Sequence, residues 1–200
     1  MWRQLLRDSG APVRDSEGTG QSRGCTSAEL DALEGILAVR LPKSYRDFCQ
    51  EIGPGELGAD DDTVQIKAPG RSRVAGLARY VKDGRDYLRF AIEEGRRTAP
   101  QYGLPEIPAD LEPDRIVPFA ADHSGASFFW RTDEPTVGDE YAIYAIADEV
   151  PPRVFRIADS FEEFIRIAAR GARGLVDIGL YGATATDAEP DEYGFWPITR

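Results

Sequence analysis

Residues Ile36–Leu57 read ILAVRLPKSYRDFCQEIGPGEL. A helical apolar pattern runs into Leu41-Pro42 and restarts at once, with Tyr45, Phe48, Cys49 and Ile52 at i, i+3, i+4 and i+7. That spacing puts the four side chains on one helical face. Pro42 opens this second helix, where its missing N–H costs little. Gly53-Pro54-Gly55 stops it. Upstream, Thr26 and Glu29 form a T-x-x-E capping box, and Leu30, Leu33, Ile36 and Leu37 share one face of a helix ending near Val39. Two short amphipathic helices joined at a Leu-Pro corner present adjacent apolar stripes, and they need a sheet to cover.

The rest of the chain supplies one. TVQIK, after Asp60, Asp61 and Asp62, is a short strand candidate. Val74, Leu77, Ala78 and Val81 repeat the helical period, and Leu88, Ala91 and Ile92 do so again before Pro100. Residues 100–114 hold four prolines and read as a loop. The period then changes to two. RIVPFA (115–120) is a strand, placed at an edge by Pro118. ASFFWR (126–131), YAIYAIA (141–147) and RVFRIA (153–158) follow, with YAIYAIA apolar on both faces and therefore central. Their connections are short, which implies antiparallel meander pairing. Ser160 and Glu163 cap a last helix with Phe161, Phe164, Ile165 and Ala168 facing the core, and Gly171 stops it. Helices, a meander and a closing helix make an α+β fold: an antiparallel meander sheet flanked by N-terminal helices and a C-terminal helix. Residues 1–25, rich in Gly and Ser in their second half, read as a flexible leader, 26–171 as the domain, and 172–200 as a tail that packs back or stays mobile.

The chain has 200 residues, which suits one domain. No apolar run is long enough for a membrane span, and the start has no signal-peptide core, so the expected location is cytoplasmic. Two cysteines make no disulfide framework. Net charge is −11, which argues against direct nucleic-acid binding. The charge is lopsided: residues 106–200 carry 8 basic and 19 acidic groups, whereas residues 25–105 carry 12 and 13. An acidic half is a solubilising surface or a surface that steers a basic partner.

Sharper chemistry finds little support. His123 is the single histidine; with Asp122 and Ser124 beside it a general base is conceivable, but adjacent residues rarely aim at one site. One His and two separated Cys make no zinc centre, and Asp60-Asp61-Asp62 lacks the alternate spacing of a calcium loop. No catalytic residue, metal ligand or cofactor is assigned. Glu162 and Glu163 complement a helix dipole. In the Phe-Phe-Trp run, Phe128 and Trp130 share one face and Phe129 takes the other. If helices or the tail cover the first face, both are core. If not, Trp130 is an exposed interaction anchor.

Three phrases together resemble a family. LPKSYRDFCQEIGPGEL is similar to "LP-x-x-Y-x-x-F-L, then a turn of small residues". DRIVPFAADHSGASFFWRTD is similar to a phrase of Phe-Ala-x-Asp, a glycine turn, a strand and an acid. RIADSFEEFI is similar to a closing strand followed by Ser-Phe-x-x-Phe-Ile. Their order over roughly residues 26–170 resembles the SUKH superfamily, the Smi/Knr-like proteins. The sequence departs from it at Gly53-Pro54-Gly55, where the family turn is Asn-Gly-Gly-like, and at His123-Ser124. The resemblance implies a non-catalytic binding protein of SUKH-like fold. Bacterial members look like immunity proteins that bind and neutralise a cognate polymorphic toxin domain, frequently a nuclease; fungal members act as regulatory scaffolds. The expected partner is therefore a basic toxin protein bound one to one by a monomer, with host-protein binding as the alternative. An enzyme centred on His123 is a third hypothesis. The partner-binding candidates are Asp122, Trp130, Asp133, Glu134, Asp139, Glu140, Asp148 and Glu149 on the meander, with Asp60, Asp61 and Asp62 as a secondary patch.

Overall fold

A computed structural model describes residues 1–14, 24–58, 63–69, 74–147, 149–171, 174–175 and 194–197. Helix α1 (Trp2–Asp8) is followed by α2 (Ser27–Leu37) and α3 (Lys43–Glu51). Strands β1 (Gly55–Gly58) and β2 (Val64–Ile66) lead to the long helix α4 (Val74–Thr98). Strands β3 (Ile116–Asp122), β4 (Ser127–Pro135), β5 (Tyr141–Ala147) and β6 (Arg153–Ala158) precede α5 (Phe161–Ala168), and β7 (Gly194–Pro197) comes last. The seven strands form one sheet in the order β6-β5-β4-β3-β2-β1-β7, every pair antiparallel. The fold is α+β, as the change of period indicates.

Local chemistry explains the helix starts. The Thr26 hydroxyl accepts from the Glu29 amide at 3.2 Å, and the Glu29 carboxylate accepts from the Thr26 amide at 2.7 Å, a reciprocal cap. Ser160 caps α5 by accepting from the Glu163 amide. At the Leu-Pro corner Ala38 turns left-handed, φ 53°, and the Leu41 amide donates to Glu34 Oε1 at 2.8 Å. The corner therefore leaves no buried amide unpaired at Leu41.

Both faces of the sheet are covered. On one, α1, α3 and α5 meet an aromatic core. Trp130 stacks on Phe119 at 4.4 Å and meets the Tyr45 ring edge-on at 4.7 Å; Phe161 sits among Trp2, Tyr45, Phe48 and Phe119. Such edge and offset contacts add to area burial. On the other, the second half of α4 lays Leu88, Ala91 and Ile92 on Ile116, Phe129 and Ile146, with Ile107 and Leu111 of the connection from α4 to β3 filling the margin. Gly84 allows this approach, because a Cβ there would lie 2.8 Å from Pro118 Cγ.

Several expectations are corrected. Residues 1–25 are not leader throughout: α1 buries Trp2 and Leu6 completely, because Trp2, Leu5 and Leu6 recur at helical spacing and find the Phe48 and Phe161 rings. Pro118 does not mark an edge. β3 lies between β2 and β4, and a register shift between Pro118 and Ala120 accommodates the missing donor. The helical segments after Val74 and before Pro100 are one helix of 25 residues. Ile36 is 58% exposed rather than in the core. The end of the tail packs back: β7 pairs with β1, and Phe195 is fully buried against Phe48 at 5.5 Å. Its backbone also bonds the N-terminal segment, Arg14 N–H to Phe195 O at 2.8 Å and Phe195 N–H to Pro12 O at 3.0 Å.

Candidate functional site

The meander divides the expected acids between the two ends of the sheet. The β4–β5 turn lies at one end, beside the N-termini of α3 and α5. The β3–β4 and β5–β6 turns lie at the other, as the registers Asp122 to Val64 and Arg153 to Ala147 require. Asp133, Glu134, Asp139 and Glu140 belong to the first end; Asp122 and Glu149 belong to the second. The acids therefore form no continuous surface patch. Asp60, Asp61, Asp62 and Asp148 lie outside the described residues.

At the first end Glu140 is a structural hub rather than a surface acid. It is 7% exposed. Its Oε1 accepts from the Ser44 amide at 2.7 Å, and its Oε2 accepts from the Ser44 hydroxyl at 2.7 Å and the Phe161 amide at 3.3 Å. One carboxylate thus serves the first turns of two helices, where helix dipoles favour negative charge. Helix α3 needs it, because its own N-cap is Pro42, which offers no side-chain acceptor. The neighbouring Asp139 carbonyl accepts from the Lys43 amide at 3.2 Å. The Leu-Pro corner and the hairpin turn are consequently one joined unit.

Between them is a cleft of about 410 Å³. Asp31, Glu34, Asp47, Asp139 and Glu140 line it, against Arg40, Lys43 and Arg46. Arg46 reaches across α2 and bonds Asp31 at 2.7 Å and Glu34 at 2.9 Å. Lys43 pairs with Asp47 at 2.5 Å. The Asp139 carboxylate is exposed and, among the described residues, makes no ion pair or hydrogen bond. Gly138 and Asp139, φ 81° and 62°, turn the hairpin left-handed and leave Val137 at its tip 94% exposed. The cleft can therefore offer carboxylates and one apolar tip to an incoming basic surface. A second groove, between Ile36 and Leu37 of α2 and helix α4, sets Arg79, Lys82, Arg85 and Arg89 against Asp86 and Asp114 and is net basic.

The other expected acids are engaged within the chain. Arg131, 7% exposed, bonds Asp133 at 3.1 Å, Asp110 at 3.0 Å and Glu134 at 3.4 Å. The Asp133 hydrogen bond is the first reason that the Arg131 guanidinium is held above its usual range, with burial opposing it. Glu134 also takes the Tyr144 hydroxyl at 2.8 Å and Arg156 at 3.2 Å. Glu149 pairs with Arg153 at 2.6 Å. Asp122 is half-buried and closes its own turn, its Oδ1 accepting from the Ala126 amide at 2.7 Å. Burial pushes its carboxyl up to about 6, against the amides of Ala126, Ser124 and Gly125. His123 is exposed. Trp130 is corrected as an anchor: at 2% exposure, between Phe119 and Tyr45, it offers no surface to a partner.

Sequence reasoning missed Asp31, Glu34, Asp47 and Arg46 as site residues. The signal was present, since acids at 31, 34 and 47 flank both apolar stripes of the corner, but the corner reads as scaffold until the hairpin is seen docked on it. Among the described residues no group of three or more His, Cys, Asp or Glu is arranged to hold a metal, and no helix is long and apolar enough to cross a membrane. No match was found among curated proteins. The family model of the SMI1/KNR4 family (SUKH-1) matches residues 24–167, which take in both helices of the corner, the meander and all but the last residue of α5. The chain belongs to the SMI1/KNR4 family, SUKH-1.

Proposed function

We propose that this protein is a cytoplasmic immunity protein: it binds a cognate toxin domain of basic surface, one to one, and blocks it without catalysis. The family is generally non-enzymatic and compatible with protein–protein interaction. The observation that carries the reading is the cleft between the Leu-Pro corner and the β4–β5 hairpin, with five acids against three bases. A toxin that acts on nucleic acid must attract phosphate, so its working face is basic, and an acidic inhibitor captures it quickly by charge. The internal pairs do not disable the cleft. Lys43–Asp47 is exposed, and such pairs contribute little, so an incoming arginine or lysine can replace the internal partner. Val137 at the hairpin tip adds an apolar contact beside the charges.

The test starts with a pull-down from the source cells and identification of the bound proteins by mass spectrometry. The expected result is one toxin domain in a one-to-one complex whose toxicity is relieved by co-expression. The triple change Asp31→Asn, Asp47→Asn and Asp139→Asn should then lower the association rate about tenfold at low salt, with the difference shrinking at high salt. Recovery of several housekeeping proteins and no toxin would favour a regulatory scaffold. An unchanged association rate would remove the cleft as the docking site.

A further inference from the structure

The two cysteines lie far apart in sequence and together in space. The Cys25 amide donates to the Cys49 carbonyl at 2.6 Å. Adding the fixed N–Cα and Cα–O lengths bounds the Cα–Cα separation at about 6.5 Å, inside the span of about 4.4–6.8 Å that a disulfide bridges. The approach is close along this whole stretch: a Cβ at Gly24 would fall 1.8 Å from the Gln50 carbonyl oxygen, so only glycine fits there. Both thiols are shielded, Cys25 at 6% and Cys49 at 0% exposure.

We infer that Cys25 and Cys49 are a disulfide-forming pair that, on oxidation, fastens the start of α2 to the end of α3. The two helices carry Asp31 and Glu34 on one side of the cleft and Lys43, Arg46 and Asp47 on the other. Arg46 already bridges them through Asp31 and Glu34, and Gln50 donates to the Ser27 hydroxyl at 2.9 Å. The bond makes covalent an arrangement that these weaker contacts hold. In the reaction each sulfur loses one proton and one electron and the S–S bond forms. Hydrogen peroxide accepts both electrons and both protons and leaves as two waters. Oxidised glutathione reaches the same product through a mixed disulfide and leaves as two thiols. Forming the bond removes the hydrogen bond that Cys25 donates to the Pro69 carbonyl. Burial keeps the Cys49 thiol well above its ordinary range, so attack in the folded protein is slow and Cys25, the less shielded sulfur, reacts first.

The test uses the full chain in two arms, folded and refolded from denaturant, each with oxidised and reduced glutathione. Remaining thiols are capped with iodoacetamide, and intact mass, non-reducing peptide mapping and thermal unfolding follow. The expected product has lost two hydrogens, carries no cap, and yields one peptide joining residue 25 to residue 49. Closing a loop of this length should raise Tm by roughly 5–10 °C over the reduced protein. Cys25→Ser, which preserves a donor toward Pro69, should abolish the shift. Two capped thiols after refolding, a stable glutathione adduct, an intermolecular cross-link, or a cross-link with no rise in Tm would each overturn the inference.

Discussion

Glu140 and Asp122 are both acids beside tight turns of the same meander, at opposite ends of the sheet, and they meet opposite fates. Glu140 is buried and takes three donors from two other helices. Asp122 is half-buried, bonds only its own turn through Oδ1, and keeps Oδ2 buried with no hydrogen-bond partner. The difference lies in what packs there. Two helix N-termini converge on the β4–β5 turn and supply unpaired amides, which a carboxylate satisfies at once. Among the described residues no helix N-terminus supplies an amide to Asp122, and its charge is only partly compensated. An acid in a turn is thus a structural clamp or a titrating group according to the donors that tertiary packing brings to it.

Removing the clamp should have the largest effect. Glu140→Ala leaves the Ser44 amide and hydroxyl and the Phe161 amide without their acceptor. A loss of about 3–4 kcal/mol is expected, since buried donors are stranded at two helix starts. Glu140→Gln retains one acceptor and should cost about half as much. Urea unfolding measures both. A loss below about 1 kcal/mol for the alanine variant would erase the distinction between the two ends.

The same contrast explains which parts were legible from the sequence. The capping box at Thr26, the Ser160 cap, the apolar stripe of α3 and the period-two strands β3 to β6 are local patterns and form where the sequence places them, except that the Glu163 carboxylate takes the Asp159 amide rather than closing a box on Ser160. β1 and β7 are four residues each and exist because β1 pairs with both β2 and β7, so no local period marks them. Helix α1 did carry a signal, Trp2, Leu5 and Leu6, that the polar stretch after it obscured. Pro118 pointed to an edge because a bulge cannot be foreseen from one strand alone. The acids were the least legible. Composition counts charge, but whether Asp133, Glu134 or Glu149 is available depends on Arg131, Arg153 and Arg156 arriving from neighbouring strand positions. The docking of the hairpin on the Leu-Pro corner, which creates the cleft, joins residues about a hundred positions apart.

At the second end the expected effect is smaller and depends on pH. The Asp122 carboxyl ordinarily titrates at 3.8 and stands at about 6 in the folded chain. The folded state therefore holds this proton more tightly than the unfolded state. The associated stability is complete below about pH 4 and is lost as pH rises through about 6. Because the side chain is only half-buried and water screens it, the change across that window is about 1 kcal/mol. Asp122→Asn should remove this slope while keeping the acceptor for Ala126. Urea unfolding of the parent and variant at several pH values decides it, and parallel curves would show that the carboxyl does not titrate in the window.

The smallest effect is expected next door. Glu149 is exposed and pairs with Arg153 across four residues, and exposed pairs of this kind contribute little. Arg153 also packs 5.0 Å over the Phe155 ring, so its stem keeps its place when the carboxylate is neutralised. Glu149→Gln should change unfolding stability by no more than about 0.5 kcal/mol. That indifference makes it the sharper probe of binding, because any change in partner association then reports contact or steering rather than folding. If Glu149→Gln slows association at low salt while Asp139→Asn does not, the partner sits at the Asp122 end and the Glu140 end is architecture alone. If the effects are reversed, the cleft that Glu140 holds together is the docking surface, and the clamp at one end of the sheet is what gives the binding site its shape.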